Sequence, residues 1–171
     1  MEHVSATAGG ISSIAGVLAF ALEHLFEEGL TVMTTSNNIK NIRVLSFGFK
    51  YGPPPFAHIV EDMRWVANPF YEPTLHAMTG ADAPVQEFIL AQPDVVCFLR
   101  DMRNNLRSRL RGFSHSNYHE TLIFAFGCTG GKHRSRFFAI KCAEMLAELI
   151  AELDIDAEIV VEHRDHEELV S

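Results

Sequence analysis

The fold of this chain is decided by residues 121–135, which read TLIFAFGCTGGKHRS. The first six residues are continuously apolar, which is typical of a strand buried on both faces of a parallel sheet. A glycine-rich loop follows, and an apolar helical pattern continues to about residue 150. The stretch 157–163 then has the alternation of a further strand. Strand, loop, helix and strand in this order predict a βαβ unit.

The glycine loop has the features of an anion site. Glycines at 127, 130 and 131 allow positive φ and close approach, so successive backbone N–H groups can converge on one anion at a helix N-terminus. Lys132, His133 and Arg134 add basic groups where helices usually prefer acidic ones. We therefore expect the strand-loop-helix at 121–150 to bind phosphate or carboxylate, with a plain glycine turn as the alternative.

Two enzyme classes use related loops. The nucleotide-binding pattern G-x-x-x-x-G-K-[ST] fails because Phe126 occupies the first glycine position and His133 replaces the hydroxyl that would hold Mg²⁺. The spacing from Cys128 to Arg134-Ser135 is instead that of cysteine-dependent phosphatases. A phosphatase therefore remains an alternative function.

In that alternative Cys128 is the nucleophile and Arg134 clamps the phosphate, because a thiol beside basic groups at a helix N-terminus is activated. Gly127 stands where such enzymes usually carry histidine. Asp62 and Asp82 are the candidates for the general acid.

The rest of the chain predicts an α/β fold, a single domain with a mostly parallel sheet flanked by helices. Residues 1–39 are interpreted as an N-terminal helix, which spans about 12–29, and a polar linker, and residues 40–171 as the ligand-binding domain. Strands are predicted at 42–49 and 59–64, and a turn-rich loop at 68–84. Two helices follow, separated near Pro93.

Composition narrows the class of protein. The 171 residues are 47% hydrophobic and 21% charged, as in a folded domain, and no stretch is long and apolar enough to span a membrane. The net charge is −8, but residues 144–171 alone carry −9, so an anion site elsewhere is not excluded. The first lysine or arginine is Lys40, so the basic start of a secretory signal is lacking, and the number of cysteines, three, is odd. Both features predict a cytoplasmic protein with free thiols. Cys97 and Cys142 lie in helical apolar patterns and are predicted to be core residues.

An arginine stripe accompanies the second predicted helix. Its members are Arg100, Arg103, Arg107 and Arg111. They form either a solvated face or, together with Lys132 and Arg136, an RNA-binding strip. The nine histidines include no pair with a third ligand at a suitable spacing, so we predict neither a metal nor a cofactor.

The chain resembles a known family, the C-terminal domain of the RNase adapter protein RapZ, over about residues 40–168. The resemblance is carried by five groups of residues: Ser46-Phe47-Gly48-Phe49-Lys50-Tyr51-Gly52; Asp62-x-Arg64 with Asn68-Pro69-Phe70; Met78-Thr79-Gly80-x-Asp82; the loop 127–135; and His163-Arg164.

The resemblance implies a regulatory α/β module that senses a phosphorylated sugar, presents small regulatory RNA to a ribonuclease, and forms homo-oligomers. It also implies a set of ligand-binding residues: Arg64, Asn68, Thr79, Gly80, Asp82, Cys128, Thr129, Gly130, Gly131, His133, Arg134, Ser135, His163 and Arg164. Residues 1–39 contain no Walker-type loop, so nucleotide hydrolysis is not expected. The acidic C-terminal residues would repel an RNA backbone.

Overall fold

The structure, a computed structural model, describes residues 38–116 and 120–165. The predicted N-terminal helix and nearly all of the polar linker lie outside the described residues.

Four strands form one parallel sheet in the described residues: β1 (Asn41–Gly48), β2 (Ile59–Asp62), β3 (Thr121–Cys128) and β4 (Glu158–His163). Their order in the sheet is β2-β3-β1-β4. The apolar run 121–126 lies in β3, which has strands on both sides, as expected for a fully buried strand. The predicted α/β fold with a mostly parallel sheet is therefore confirmed.

Three helices accompany the sheet in the same residues: α1 (Ala83–Leu90), α2 (Pro93–Ser114) and α3 (Arg134–Glu152). Pro93 is the first residue of α2, where its missing N–H costs nothing and where it cannot continue α1. Helical side chains share one core cluster with Ile42, Val44 and Phe124, which alternate along β1 and β3. The helices thus cover one face of the sheet, and a smaller cluster around Leu45 and Phe47 lies on the other.

Parallel strands bring their carboxyl ends to one edge of the sheet. Gly48 of β1 pairs with Cys128 of β3, and Asp62 of β2 pairs with Gly127. On the other side of β1, Ser46 pairs with His163 of β4. Four of the five groups of residues that carry the family resemblance meet at this edge, where α/β sheets bind their ligands.

Two local expectations differ from the structure. The second strand ends at Asp62 rather than Arg64, because the Asp62 carboxylate accepts the Arg64 N–H and caps a 3-10 turn at Met63–Trp65. Cys142 is buried as predicted, but Cys97 is exposed and the core prediction for it was wrong. The buried stripe of α2 runs through Leu99 and Met102, which lie on a different side of the helix.

None of the helices in the described ranges is long and apolar enough to cross a membrane.

Candidate functional site

A cavity of about 280 Å³ opens at the carboxyl edge of the sheet, between the glycine loop and the turn Pro69–Tyr71. Six of its lining residues belong to the predicted ligand set: Asn68, Cys128, Thr129, Gly130, His133 and Arg134. Four others line it as well: Lys50, Phe70, Tyr71 and Lys132. The cavity is therefore formed by the glycine loop and by segments that follow β1 and β2.

The glycine loop folds back on the thiol of Cys128. The Gly131 N–H donates to Cys128 Sγ at 3.2 Å, and Ser135 Oγ lies 3.2 Å from the same sulfur. Gly131 has a φ of 77°, a left-handed conformation that favours glycine. The loop is thus a tight turn closed around a buried sulfur.

Arg134 ties the start of α3 to the turn after β2. Its side chain is only 4% exposed, and Nη1 donates to the carbonyl oxygens of Val66 at 2.9 Å and Arg64 at 3.2 Å. Nη2 donates to Thr129 Oγ1 at 3.3 Å. Most of the N–H donors of Arg134 are therefore used in hydrogen bonds that hold the wall of the cavity in place.

His133 contributes no full positive charge to the site near neutral pH. Its side chain is buried, and Nε2 lies 3.3 Å from the Leu75 carbonyl oxygen. Burial lowers the pKa of His133, the hydrogen bond to Leu75 opposes this, and the neighbouring charge of Lys132 lowers the pKa further.

Two lysines bring positive charge to the cavity. The Lys50 N–H donates to the Thr129 carbonyl oxygen at 3.1 Å, and its Nζ reaches within 3.7 Å of the point where a Cβ on Gly130 would lie. Lys132 Nζ donates to the His76 carbonyl oxygen at 2.9 Å. The predicted ligand set omitted Lys50, although its position two residues after β1, in the stretch SFGFKYG, was the signal that could have found it.

An aromatic wall faces the glycine loop. Phe70 and Tyr71 are both substantially exposed, and the Phe70 ring lies 4.0 Å from the His76 ring, centroid to centroid. The Asn68 side chain caps this turn by accepting the Phe70 N–H at 3.4 Å. The wall offers apolar faces beside a charged loop, and the predicted ligand set contained neither aromatic residue.

Other predicted ligand residues surround the cavity without lining it. Asp82 Oδ2 accepts the Thr79 N–H at 2.7 Å and Thr79 Oγ1 at 2.9 Å, and Gly80 donates its N–H to the Lys132 carbonyl oxygen at 3.0 Å. Arg64 pairs with Asp62 at 2.6 Å and lies over the Phe49 ring. These contacts brace the loop and the adjoining turns.

The last predicted ligand residues lie at the end of β4. Ser46 Oγ is 2.8 Å from His163 Nδ1. Arg164 donates to the carbonyl oxygens of Gly48 at 2.9 Å and Pro53 at 2.8 Å. Both residues therefore contact the end of β1 and the segment after it, and neither is among the residues lining the cavity.

The arginine stripe is largely occupied by ion pairs. Arg103 contacts Glu148 and Glu152 of α3, Arg107 contacts Glu152, and Arg100 pairs with Asp101. Arg111 is exposed, Lys132 lines the cavity, and Arg136 is buried. The residues proposed for RNA binding thus do not lie on one continuous open surface.

The site has the cysteine that a phosphatase would use as nucleophile, but neither predicted general acid suits its role. Cys128 Sγ accepts the Gly131 N–H and contacts Ser135 Oγ, as described above. However, a hydrogen bond from Arg64 keeps the pKa of Asp62 low, and hydrogen bonds from Thr79 keep the pKa of Asp82 low. Both carboxyl groups are ionised near neutral pH, whereas a general acid must hold a proton there.

Comparisons with known proteins agree with this architecture. The sequence profile of the RapZ C-terminal domain matches residues 40–167. A nucleotide-binding protein of Heliobacterium modesticaldum is 42% identical over 124 residues, which are 72% of this chain and 39% of that protein. A nucleotide-binding protein of a Psychrobacter species is 39% identical over 142 residues, 83% of this chain and 44% of that protein. That of Lactiplantibacillus plantarum is 37% identical over 134 residues, 78% and 43% respectively.

The chain spans about two fifths of the length of these relatives. The matched part includes all four strands, the glycine loop and every residue that lines the cavity. The resemblance predicted from the sequence is therefore confirmed, and this chain belongs to the RapZ C-terminal domain family.

Proposed function

We propose that this chain is a regulatory module that binds a small phosphorylated metabolite of the sugar-phosphate type in the cavity beside the glycine loop. The observation that carries the proposal is that Lys50, Lys132 and Gly130 line one cavity of about 280 Å³. That volume is at the small end for ligand pockets, which suits a monosaccharide phosphate better than a dinucleotide.

The residues that line the cavity suit the two parts of such a ligand. Ammonium groups and backbone N–H groups of the loop stabilise a phosphate. The faces of Phe70 and Tyr71 offer apolar surface to the C–H groups of a sugar ring, and Asn68 and Thr129 offer partners for its hydroxyl groups. Arg134 supports the loop from behind.

A phosphorus NMR titration tests the proposal. Glucose 6-phosphate, inorganic phosphate and AMP are titrated with protein, and we expect selective broadening of the sugar phosphate signal without new peaks. Lys50→Met should weaken binding by about 1.5 to 3 kcal/mol, the range for a hydrogen bond to a charged partner.

Lys141→Met is the matched control, because Lys141 lies on α3 and pairs with Glu144 away from the cavity. Equal affinity of the Lys50→Met variant and the wild type would contradict the assignment, as would unchanged spectra with all three compounds. Arg134→Ala is a poor test of contact, because removing a buried side chain that holds three partners would also disturb the fold.

A cysteine-dependent phosphatase is the second candidate, and the contacts of Cys128 Sγ with the Gly131 N–H and Ser135 Oγ favour it. In that case an inorganic phosphate peak grows during the titration. Cys128→Ser should abolish its growth and leave the broadening of the substrate signal intact. Growth of the peak in the Cys128→Ser variant would exclude the mechanism.

Macromolecular partners are a further part of the proposal. The family resemblance supports presentation of RNA or of a protein partner by a homo-oligomer, whereas the ion pairs of Arg103 and Arg107 and the acidic C-terminal residues oppose RNA binding. Retention of a short RNA at about 50 mM salt, falling steeply as salt is raised, would support the RNA role. No retention there would exclude it, and sedimentation velocity reports the oligomer.

A further inference from the structure

The two residues that follow β4 bind both backbone polar groups of Gly48 in β1. Arg164 Nη2 donates to the Gly48 carbonyl oxygen at 2.9 Å, and Asp165 Oδ2 accepts the Gly48 N–H at 2.6 Å. The two side chains are joined to each other by an ion pair of 2.9 Å. Gly48 is thus held on both sides by two consecutive residues that act as one unit.

Gly48 in turn lies against the glycine loop. A Cβ placed on Gly48 would lie 2.6 Å from the carbonyl carbon of Gly130 and 2.8 Å from the nitrogen of Gly131. A Cβ on Gly131 would lie 2.9 Å from the nitrogen of Gly48. The two backbones are therefore in direct contact, and a displacement of Gly48 must be accommodated by the loop.

Arg164 and Asp165 contact Gly48 from outside the cavity. Neither Arg164 nor Asp165 is among the lining residues. Arg164 lies over the Phe47 ring, 5.2 Å from its centroid, and also donates to the Pro53 carbonyl oxygen at 2.8 Å. Its guanidinium is thereby fixed on the side of β1 where the smaller apolar cluster lies.

We propose that Arg164 and Asp165 are positioning residues, which fix Gly48 and through it the backbone of Gly130 and Gly131 beside the cavity. The inference rests on the proposed function, because it assigns this part of the loop to the binding of an anion. A loop binds an anion tightly only if it is already ordered, since ordering it during binding reduces affinity. The family resemblance implies that Arg164 contacts the ligand directly. The contacts described here instead indicate that it acts on the ligand through Gly48 and the glycine loop.

The test compares three variants in proton–nitrogen NMR spectra of the ligand-free protein. Asp165→Ala removes the acceptor for the Gly48 N–H, and Asp165→Asn keeps a weaker one. Arg43→Met is the matched control, because it breaks the 2.8 Å ion pair between Arg43 and Glu162, which joins the same two strands away from the loop. Affinity for glucose 6-phosphate is measured for each variant.

We expect the Gly130 and Gly131 amide signals to shift in Asp165→Ala, and affinity to fall about five- to tenfold, or about 1 to 1.4 kcal/mol. Asp165→Asn should restore part of both effects, and Arg43→Met should show neither. Unmoved loop signals in Asp165→Ala, or equal shifts in Arg43→Met, would overturn the positioning role. Weaker binding with unmoved signals would also overturn it, because the carboxylate would then act on the ligand directly.

The two proposals can fail separately. If the wild-type protein binds neither glucose 6-phosphate nor inorganic phosphate, the proposed function is wrong. The loop signals of the ligand-free variants still decide whether Asp165, which pairs with Arg164, sets the conformation of the loop.

Discussion

Single glycines determine how closely the backbones around the cavity approach one another. A Cβ on Gly80 would lie 2.1 Å from the His133 carbonyl oxygen, and one on Gly127 would lie 2.4 Å from Cζ of Phe47. Neither position has a positive φ. Glycine is therefore required there for space, and the sequence showed the glycines of the loop without showing which neighbours they admit.

Gly48→Ala is the sharpest test of this packing. The added methyl group must displace the backbone of Gly130 and Gly131, and such overpacking costs about 1 to 3 kcal/mol of unfolding free energy. Urea denaturation followed by the fluorescence of Trp65, the single tryptophan, measures the loss. Gly112→Ala is the control, because it lies in α2 with nothing within 4 Å of the new Cβ and should gain up to about 1 kcal/mol. A Gly48→Ala protein as stable as the wild type would show that the loop can yield.

His133 makes the stability of the domain depend on pH. Because burial lowers its pKa in the folded state, the unfolded state binds the proton more readily. The resulting stabilisation is complete above the unfolded pKa of about 6.5 and is lost as the pH falls below that value. Unfolding free energies at pH 7.5 and pH 5.5 should therefore differ more in the wild type than in His133→Gln. An equal pH dependence in the two proteins would contradict the assignment.

At the scale of elements, acidic residues of α3 pair with two arginines of α2, Arg103 and Arg107. Glu152 accepts from both Arg103 and Arg107, and Glu148 accepts from Arg103. The sequence showed an arginine stripe and an acidic helix as separate features. Their pairing was not predictable, because the partners are about 45 residues apart and meet only when both helices pack on the same face of the sheet.

Glu152→Gln should lower the unfolding free energy by no more than about 1 kcal/mol, since the side chains of these ion pairs are 31% to 40% exposed and solvent weakens their attraction. The difference should shrink at about 1 M salt, where charges on the surface are screened within about 3 Å. Glu144→Gln is the control, because Glu144 pairs only with Lys141 on its own helix among the contacts described. A larger loss of unfolding free energy that persists in high salt would contradict this, because it would show that solvent does not screen the ion pairs of Glu152.

At the scale of the whole molecule, an aromatic cluster joins the helices to the sheet. Phe138 of α3 lies 5.5 Å from Phe98 of α2, 5.0 Å from Phe137 and 6.4 Å from Phe126 of β3, centroid to centroid. Trp65, in the turn after β2, lies 6.4 Å from the same ring. The cluster therefore joins α3 to β3, to α2 and to the turn after β2.

Phe138→Ala should cost about 3 to 5 kcal/mol, the range for a buried aromatic residue, which is a large share of the total of about 5 to 15 kcal/mol for a domain. Phe138→Leu should cost less, because it leaves a smaller void. Phe56→Ala is the control, because Phe56 is 82% exposed. Equal midpoints for Phe138→Ala and the control in urea denaturation would place the core elsewhere.

The sequence by itself determined the elements, the parallel α/β class and the glycine loop at a strand end, because these depend on local periodicity and on the conformations that glycine and proline permit. It also identified the family through motifs within about residues 40–168, and the family profile matches residues 40–167. Only the tertiary structure decided which groups line the cavity, that Arg134 is buried against the turn after β2, and that Arg164 holds Gly48. These contacts join residues more than 60 positions apart, and the pairing of strands that are distant in the sequence brings them together.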